Sequence, residues 1–470
     1  MKLKLFSLLA ASLLPSALMS AEYTIDVYAS TFDTSSSQAI ERVEVTPPTL
    51  KLTPMIKLFP EYKFQEIVGV GGCFNEIGAD ALASLSAQKQ SEVMSSLFGG
   101  DIGSQFTFCR TALGASDFGQ DAYSYSEVAG DYEMKRFSVD RDKKSVIPYM
   151  VKARELNPAL KIFASPWSPP AWMKESGSMV GVRDDNTIIH NPQIFSAYAK
   201  YFVEYIKAYK ANGVEINRIC TQNETDMNSK YPSCIFPPKK MNDFIQNYLS
   251  PTMKSAGVDC ELWAGTYRVA EWFEGKFEAM ELLSYAGLLD KIDGVGIQYT
   301  RSQYIDELRE LYPSVKIMHT ESNCFNGKNS VEQAQSRLEE VASYINAGVE
   351  NFAYWNMILD ERQQSGWQWK QNSLITIDRT SGKVSYNPDY YPMALISRFV
   401  RPGDRRIAFY QSKYLPAISV VSPEGVCKVI IQNTTAEAMP YTIRMGEEDK
   451  GQTIGIPANS IAAIVVTPKK

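Results

Sequence analysis

Two hydrophobic rhythms divide the chain. Near both ends apolar and polar residues alternate at every second position, in "YTIDVYAS", "RVEVTPP" and "LKLTPMI" before residue 60. The same rhythm returns in "RIAFYQ", "AISVVS", "CKVIIQNTT", "YTIRMG" and "IAAIVV" after about residue 400. Period-2 pieces cut by turn residues read as strands of a β-sandwich. Because both ends carry the pattern, they are expected to pair in one discontinuous domain. Between them, continuous apolar pieces alternate with helical periods. The strand-like pieces are "EIVGVGGCF", "FTFCRTALG", "KIFASPWSPP", "INRICTQNE", "CELWAGTYR", "GVGIQYT", "KIMHTESN" and "NFAYWNM". In the helical stretch "SAYAKYFVEYIKAYKANG", Tyr201, Phe202, Tyr205 and Ile206 share one face and Gly213 marks the end.

Eight strands alternating with helices predict an α/β fold, a (β/α)8 TIM barrel with the sandwich beside it. A doubly wound open sheet would read similarly, but "GVGGCF" ends on Phe74 and is no GxGxxG phosphate loop. The C-terminal ends of the pieces favour the barrel. Apolar runs there turn polar or aromatic, at Asn75-Glu76, Ser116-Asp117, Trp167, Asn223-Glu224, Gln298-Tyr299, Glu321 and Trp355-Asn356. A barrel gathers those ends into one ring of loops. The expected organisation is residues 61–397 as barrel, with 22–60 and 398–470 supplying the sandwich strands.

The first 21 residues change the picture of location. Lys2 and Lys4 precede the apolar run "LFSLLAASLLPSALM", and small residues follow at Ser20 and Ala21, as in a secretory signal peptide. The mature chain is therefore expected to be exported, secreted or periplasmic, with no transmembrane segment. A net charge of −5 with mixed signs argues against a nucleic-acid partner. Seven cysteines without CxxC spacing make a disulfide framework or a zinc knuckle unexpected, while leaving room for one or two bridges. Only two histidines occur, His190 and His319. That removes HExxH metal chemistry and turns attention to carboxylates. No cofactor and no metal is expected.

Glycoside hydrolysis needs two carboxyl groups, one to protonate the leaving oxygen and one to attack or stabilise the anomeric carbon. Glu224 ends the fourth strand piece and Glu321 ends the seventh, so a barrel would bring both to one mouth. Asn223 beside Glu224 could bond a sugar hydroxyl.

The segments "GGCFNEIGADAL", "RTALGASDF", "YSY", "ASPWSPPAWMK", "TQNE", "HTES" and "YWN" resemble glycoside hydrolase family 30, in order and over most of residues 66–400. That family includes glucosylceramidases and β-1,6-glucanases. The resemblance implies Glu224 as general acid/base and Glu321 as nucleophile of a retaining mechanism. It implies that Arg110 holds the nucleophile ionised, and that Asp117, Trp167, Asn223 and Trp355 line the subsite for the non-reducing sugar. Two departures bear on the substrate. "GIQYT" puts Gln298, Tyr299 and Thr300 where many relatives carry His followed by aromatics. Thr225 stands where relatives usually have Pro. Gln298 and Tyr299 are both expected to bind substrate, and Gln298 to help set sugar preference rather than chemistry.

The expected function is a secreted retaining β-glycosidase acting on β-glucosides or β-1,6-glucan, with a carbohydrate, polymeric or lipid-linked, as partner. Two alternatives stay open, the same mechanism on a fucoside or xyloside, and a catalytically dead carbohydrate-binding barrel.

Overall fold

In a computed structural model the described residues are 23–32, 40–44, 53–100, 103–181, 185–269, 277–447, 449 and 451–469. The expected signal peptide, residues 1–21, lies outside them. Eight parallel strands form the central barrel: β1 (Gly69–Phe74), β2 (Phe108–Ala112), β3 (Lys161–Ser165), β4 (Arg218–Cys220), β5 (Glu261–Arg268), β6 (Gly294–Gln298), β7 (Lys316–His319) and β8 (Asn351–Asn356). Their order is β7-β6-β5-β4-β3-β2-β1-β8. Strands covered on both faces must be apolar throughout, and every residue of β1, β6 and β8 is buried.

The glycines of "GVGGCF" have a packing reason. A Cβ on Gly71 would lie 2.3 Å from the Phe108 carbonyl oxygen, and one on Gly72 2.4 Å from the Met357 side chain. Only glycine lets β1 sit this close to its neighbours.

β7 and β8 carry no continuous ladder; one backbone bond, from the Glu350 N–H to the Ile317 carbonyl at 3.2 Å, and several side chains close that seam. Asn351 accepts from the His319 backbone N–H at 2.9 Å and donates to the His319 carbonyl at 2.8 Å. His319 Nδ1 accepts from the Ala353 N–H at 3.2 Å, and its ring stacks on Phe352 with centroids 4.1 Å apart. Burial holds this imidazole well below its usual pKa, so it stays neutral. His319 is thus a structural residue of the seam. His190, the other histidine, pairs with Asp243 on the surface at 2.7 Å.

Inside the barrel Phe108, Phe163, Cys220, Trp263, Met318 and Ala353 form one packed layer. Outside, the helix Pro192–Ala211 is capped by Asn191, whose side chain accepts from the Ile194 N–H. It buries Tyr201, Phe202, Tyr205 and Ile206 as the sequence pattern predicts.

The two chain ends meet as predicted. Tyr23–Thr31 pairs antiparallel with Ser460–Pro468 along its whole length. These strands belong to one nine-stranded sheet with Glu41–Val43, Met55–Glu66, Arg405–Gln411, Ala417–Val421, Cys427–Asn433, Met439–Met445 and Gln452–Ile456. The sheet folds over its own core of residues such as Val27, Leu58, Ile407, Val429, Ile443 and Ile464. Its other face sends Ile418, Val420, Ile430, Ile461 and Ala463 into the barrel's core. A small sheet after β8, of Ile358–Asp360, Ile375–Asp378 and Lys383–Tyr386, carries a long loop toward the mouth. All seven cysteines are free. Among the described residues no helix is long and apolar enough to cross a membrane.

Candidate active site

The loops after the strands enclose a cavity of about 380 Å³ lined by Asp117, Trp167, Asn223, Glu224, Tyr231, Arg268, Tyr299, Glu321, Trp369 and Gln371, among others. Arg110 of β2 organises its floor and is fully buried. One end of the guanidinium donates to Glu321 Oε2 at 2.7 Å and to the Thr320 carbonyl at 3.0 Å. The other donates to Asn223 Oδ1 and Ser165 Oγ, each at 2.7 Å. Its planar face lies over Trp167 at 4.5 Å and Trp355 at 5.2 Å. A buried cation needs such a full set of acceptors. Loops from β3, β4 and β7 are thereby tied to one centre.

Glu321, just beyond β7, receives three kinds of donor. Besides Arg110, the Tyr299 hydroxyl donates to Oε1 at 2.7 Å and Gln298 Nε2 to Oε2 at 3.3 Å. The Thr320 hydroxyl donates to Gln298 Oε1 at 2.7 Å, which turns the amide NH2 toward the carboxylate. Burial pushes the Glu321 carboxyl above the ordinary range, and Arg110, Tyr299 and Gln298 oppose that push.

Glu224 follows β4 in a backbone conformation that non-glycine residues rarely adopt, with φ +42°. Its N–H donates to Thr266 Oγ1 at 3.2 Å and its carbonyl accepts from Met227 N–H at 2.9 Å. The turn is held from both sides, the condition under which such strain persists. Burial raises the Glu224 carboxyl to about 7, opposed by Arg268 and reinforced by Glu321 and Asp226. Since Glu321 carries the stronger donors, the first proton taken up by the two carboxylates goes to Glu224.

Asp117, in the loop beyond β2, lines the cavity with Oδ1 buried and without a hydrogen-bond partner. Burial, with Glu321 and Glu224 nearby, holds its carboxyl well above the usual range. A carboxyl group that lines a cavity can accept a ligand's hydroxyls. Asn223 uses its carbonyl oxygen on Arg110 and Thr266, so its NH2 is what it can offer the cavity.

The residues picked from sequence occupy two depths. Asp117, Trp167, Asn223, Glu224, Tyr299 and Glu321 line the cavity. Arg110, Gln298 and Trp355 sit behind that lining. Trp355 is wholly buried and stacks on Trp167 with centroids 5.2 Å apart. Asn75 and Asn356 bond one another at 3.0 Å, and Asn75 also caps the helix Glu76–Ala83. Asn356 in turn donates to Gln371 at 2.8 Å.

Sequence reasoning missed Arg268, Tyr231, Trp369 and Gln371. Arg268 carried a signal, since it ends the piece "CELWAGTYR" as the other site residues end theirs. Trp369 and Gln371 lie in the loop after β8, where no periodicity marks them.

Residues 67–400 match the profile of the glycosyl hydrolase family 30 TIM-barrel domain. The chain is 26% identical to the endo-1,6-β-D-glucanase BGN16.3 of Trichoderma harzianum, covering 86% of this chain and 84% of that protein. It is 24% identical to the lysosomal acid glucosylceramidase of Mus musculus, over 83% of this chain and 79% of that one. Among solved structures, SrfJ from Salmonella typhimurium superposes with a TM-score of 0.82 at 20% identity, covering 95% of this chain and all of that one. A structure titled as an endo-β1,6-glucanase gives 0.81 at 21% identity, over 95% and 99% of the two chains.

Proposed function

The chain belongs to glycosyl hydrolase family 30, and from that premise we propose that it is a retaining β-glycosidase for β-glucosides, with Glu321 as nucleophile and Glu224 as acid/base. The observation that carries the reading is the contrast between the two carboxyls. Glu321 is clamped by Arg110, Tyr299 and Gln298, and Glu224 holds its proton to about 7. Two carboxyls whose surroundings push their proton affinities apart divide into a base and an acid.

In the first half-reaction a Glu321 oxygen bonds to the anomeric carbon as the glycosidic C–O bond breaks. The leaving oxygen takes the bond's electron pair and the Glu224 proton. In the second, a water oxygen bonds to the same carbon and loses a proton to Glu224. The ester bond then returns its electrons to Glu321. Asp117 accepts sugar hydroxyls, and Trp167 lines the same cavity beside it.

The relatives named glucosylceramidase and endo-1,6-β-D-glucanase support a glucose unit at the cleaved bond. The stretch "GIQYT", where this chain departs from many relatives and which brings Tyr299 to the cavity, favours a second reading with another β-linked sugar. The N-terminal 21 residues support export.

Kinetics of two variants test the roles. Glu321→Gln should lose turnover of every substrate, because no leaving group replaces the covalent step. Glu224→Ala should lose about 10²–10⁴-fold on unactivated glycosides, yet keep fast glycosylation with a dinitrophenyl glycoside and accumulate the intermediate. Azide should then restore turnover and release a β-glycosyl azide. An α-azide product, or a Glu224→Ala enzyme equally dead on both substrates and unmoved by azide, would refute the assignment.

A further inference from the structure

Beside Glu224 lies a second charge pair, Asp226 with Arg268. Arg268 closes β5, and its Nε–H donates to Asp226 Oδ1 at 3.0 Å. The same nitrogen is 3.7 Å from Glu224 Oε1. One N–H cannot point at both carboxylates. Asp226 takes the hydrogen bond, and Glu224 feels the charge without the bond. All three groups are mostly buried, with Arg268 and Asp226 side chains 13% and 17% exposed, so water screens them weakly.

The local chain explains how Asp226 arrives there. The turn 224–227 folds the backbone back on itself through the Met227 N–H to Glu224 carbonyl bond. Thr225 fastens it from outside, its hydroxyl donating to Glu278 and its carbonyl accepting from the Phe236 N–H. A Pro at 225 would lack no needed donor, but Thr adds the tie to Glu278 that holds the turn.

We propose that Asp226 and Arg268 are positioning residues that balance Glu224 between its acid and base forms, so that it serves both half-reactions. The inference rests on the assignment of Glu224 as acid/base. Asp226 neutralises Arg268 in part, so the cation does not strip the proton before the leaving group needs it. Once the proton has gone, Arg268 stabilises the carboxylate that must receive one from water. The other groups facing Glu224 leave this task open. Glu321 and Asp117, beyond β7 and β2, are like charges that favour the protonated form. Arg110 is committed to Glu321 and Asn223. Gln298, Tyr299 and Tyr231, from β6 and the β4 loop, bring no formal charge, and Glu278, tied to Thr225, is a further carboxylate beside Asp226 and Arg268 that every variant keeps. Arg268 is therefore the cation whose balance with Asp226 decides the matter.

The test is the pH dependence of kcat/KM on 4-nitrophenyl β-glucoside, whose alkaline limb reports loss of the acid's proton in free enzyme. Asp226→Asn removes a like charge and leaves Arg268 wholly to Glu224. The alkaline limb should move to lower pH by about one unit. Arg268→Gln removes the opposing cation, and the limb should move up by a similar amount. The double variant should fall between, near the wild type, and Arg268→Lys should keep the limb in place. Opposite shifts with cancellation are not what a merely structural pair would give. If Arg268→Gln does not fold, the downward shift in Asp226→Asn decides alone. Folded variants whose limbs stay put, or move together, overturn the proposal. Azide rescue of Glu224→Ala, run alongside, separates the two failures. Rescue with unmoved limbs removes only the role of the pair, whereas no rescue removes the assignment of Glu224 itself.

Discussion

Asp117 shows at the scale of one residue how function and stability oppose one another. Its buried Oδ1 has no protein partner, so burial makes the ionised form costly in the folded state. Asp117→Asn should lower kcat/KM by about 10²-fold, as expected for hydrogen bonds to a charged group at about 1.5–3 kcal/mol each. It should also raise Tm. The sign with pH follows from the raised carboxyl. Below the unfolded value of about 4, the group is protonated in both states and costs nothing. Above it, the folded state is penalised, so the gain in Tm should be present at pH 7 and vanish toward pH 3.5. Calorimetry across that range checks it. Tyr299 acts through Glu321 instead. Tyr299→Phe removes the 2.7 Å donor, and the acid limb of kcat/KM should rise while kcat falls about 10–100-fold. An unchanged acid limb would show that the hydroxyl does not hold the nucleophile ionised.

At the scale of elements the β7/β8 seam deserves comparison with the other seven junctions. Seven are closed by backbone ladders, as in β5 against β6 or β2 against β3. The eighth depends on Asn351, whose amide satisfies both the N–H and the carbonyl of His319. Asn351→Leu keeps the volume but leaves two buried backbone groups unpaired. The expected loss is about 2–5 kcal/mol, measured by urea unfolding. Because Glu321 follows His319 by two residues, activity should fall in the fraction that remains folded as well. Loss of stability below 1 kcal/mol would mean that water or a shifted strand closes the seam.

The whole molecule turns a set of strand ends into one titrating site. Carboxyls from three loops share a cavity, so the protons come off in macroscopic steps that belong to the group. The kcat/KM profile on a β-glucoside should be a bell. Its alkaline side should fall near 7, where Glu224 loses its proton, and its acid side should fall where Glu321 gains one. Glu224→Gln keeps a neutral side chain at every pH, so its residual activity should lack the alkaline limb. A wild-type profile flat from pH 5 to 9 would contradict the division of labour between the two glutamates.

Strands, helices and the pairing of the two ends were legible in the chain because periodicity records which face of each element is buried. The carboxylates were legible as a pair because a barrel puts every strand end into one ring, while their expected roles came from the family motifs around Glu224 and Glu321. Gln298 shows the boundary. Its place at the end of β6 was readable, but its placement behind Glu321 follows from Thr320 taking its carbonyl oxygen. The same holds for Trp355, whose strand-end position gave no sign that Trp167 would cover it. Arg268 and Asp226 are 42 residues apart in sequence, and Trp369 sits in an aperiodic loop. Periodicity and strand ends are local properties of a chain, carried by residues a few positions apart. Distances between charges depend on how distant strands pack, and only the folded barrel determines them.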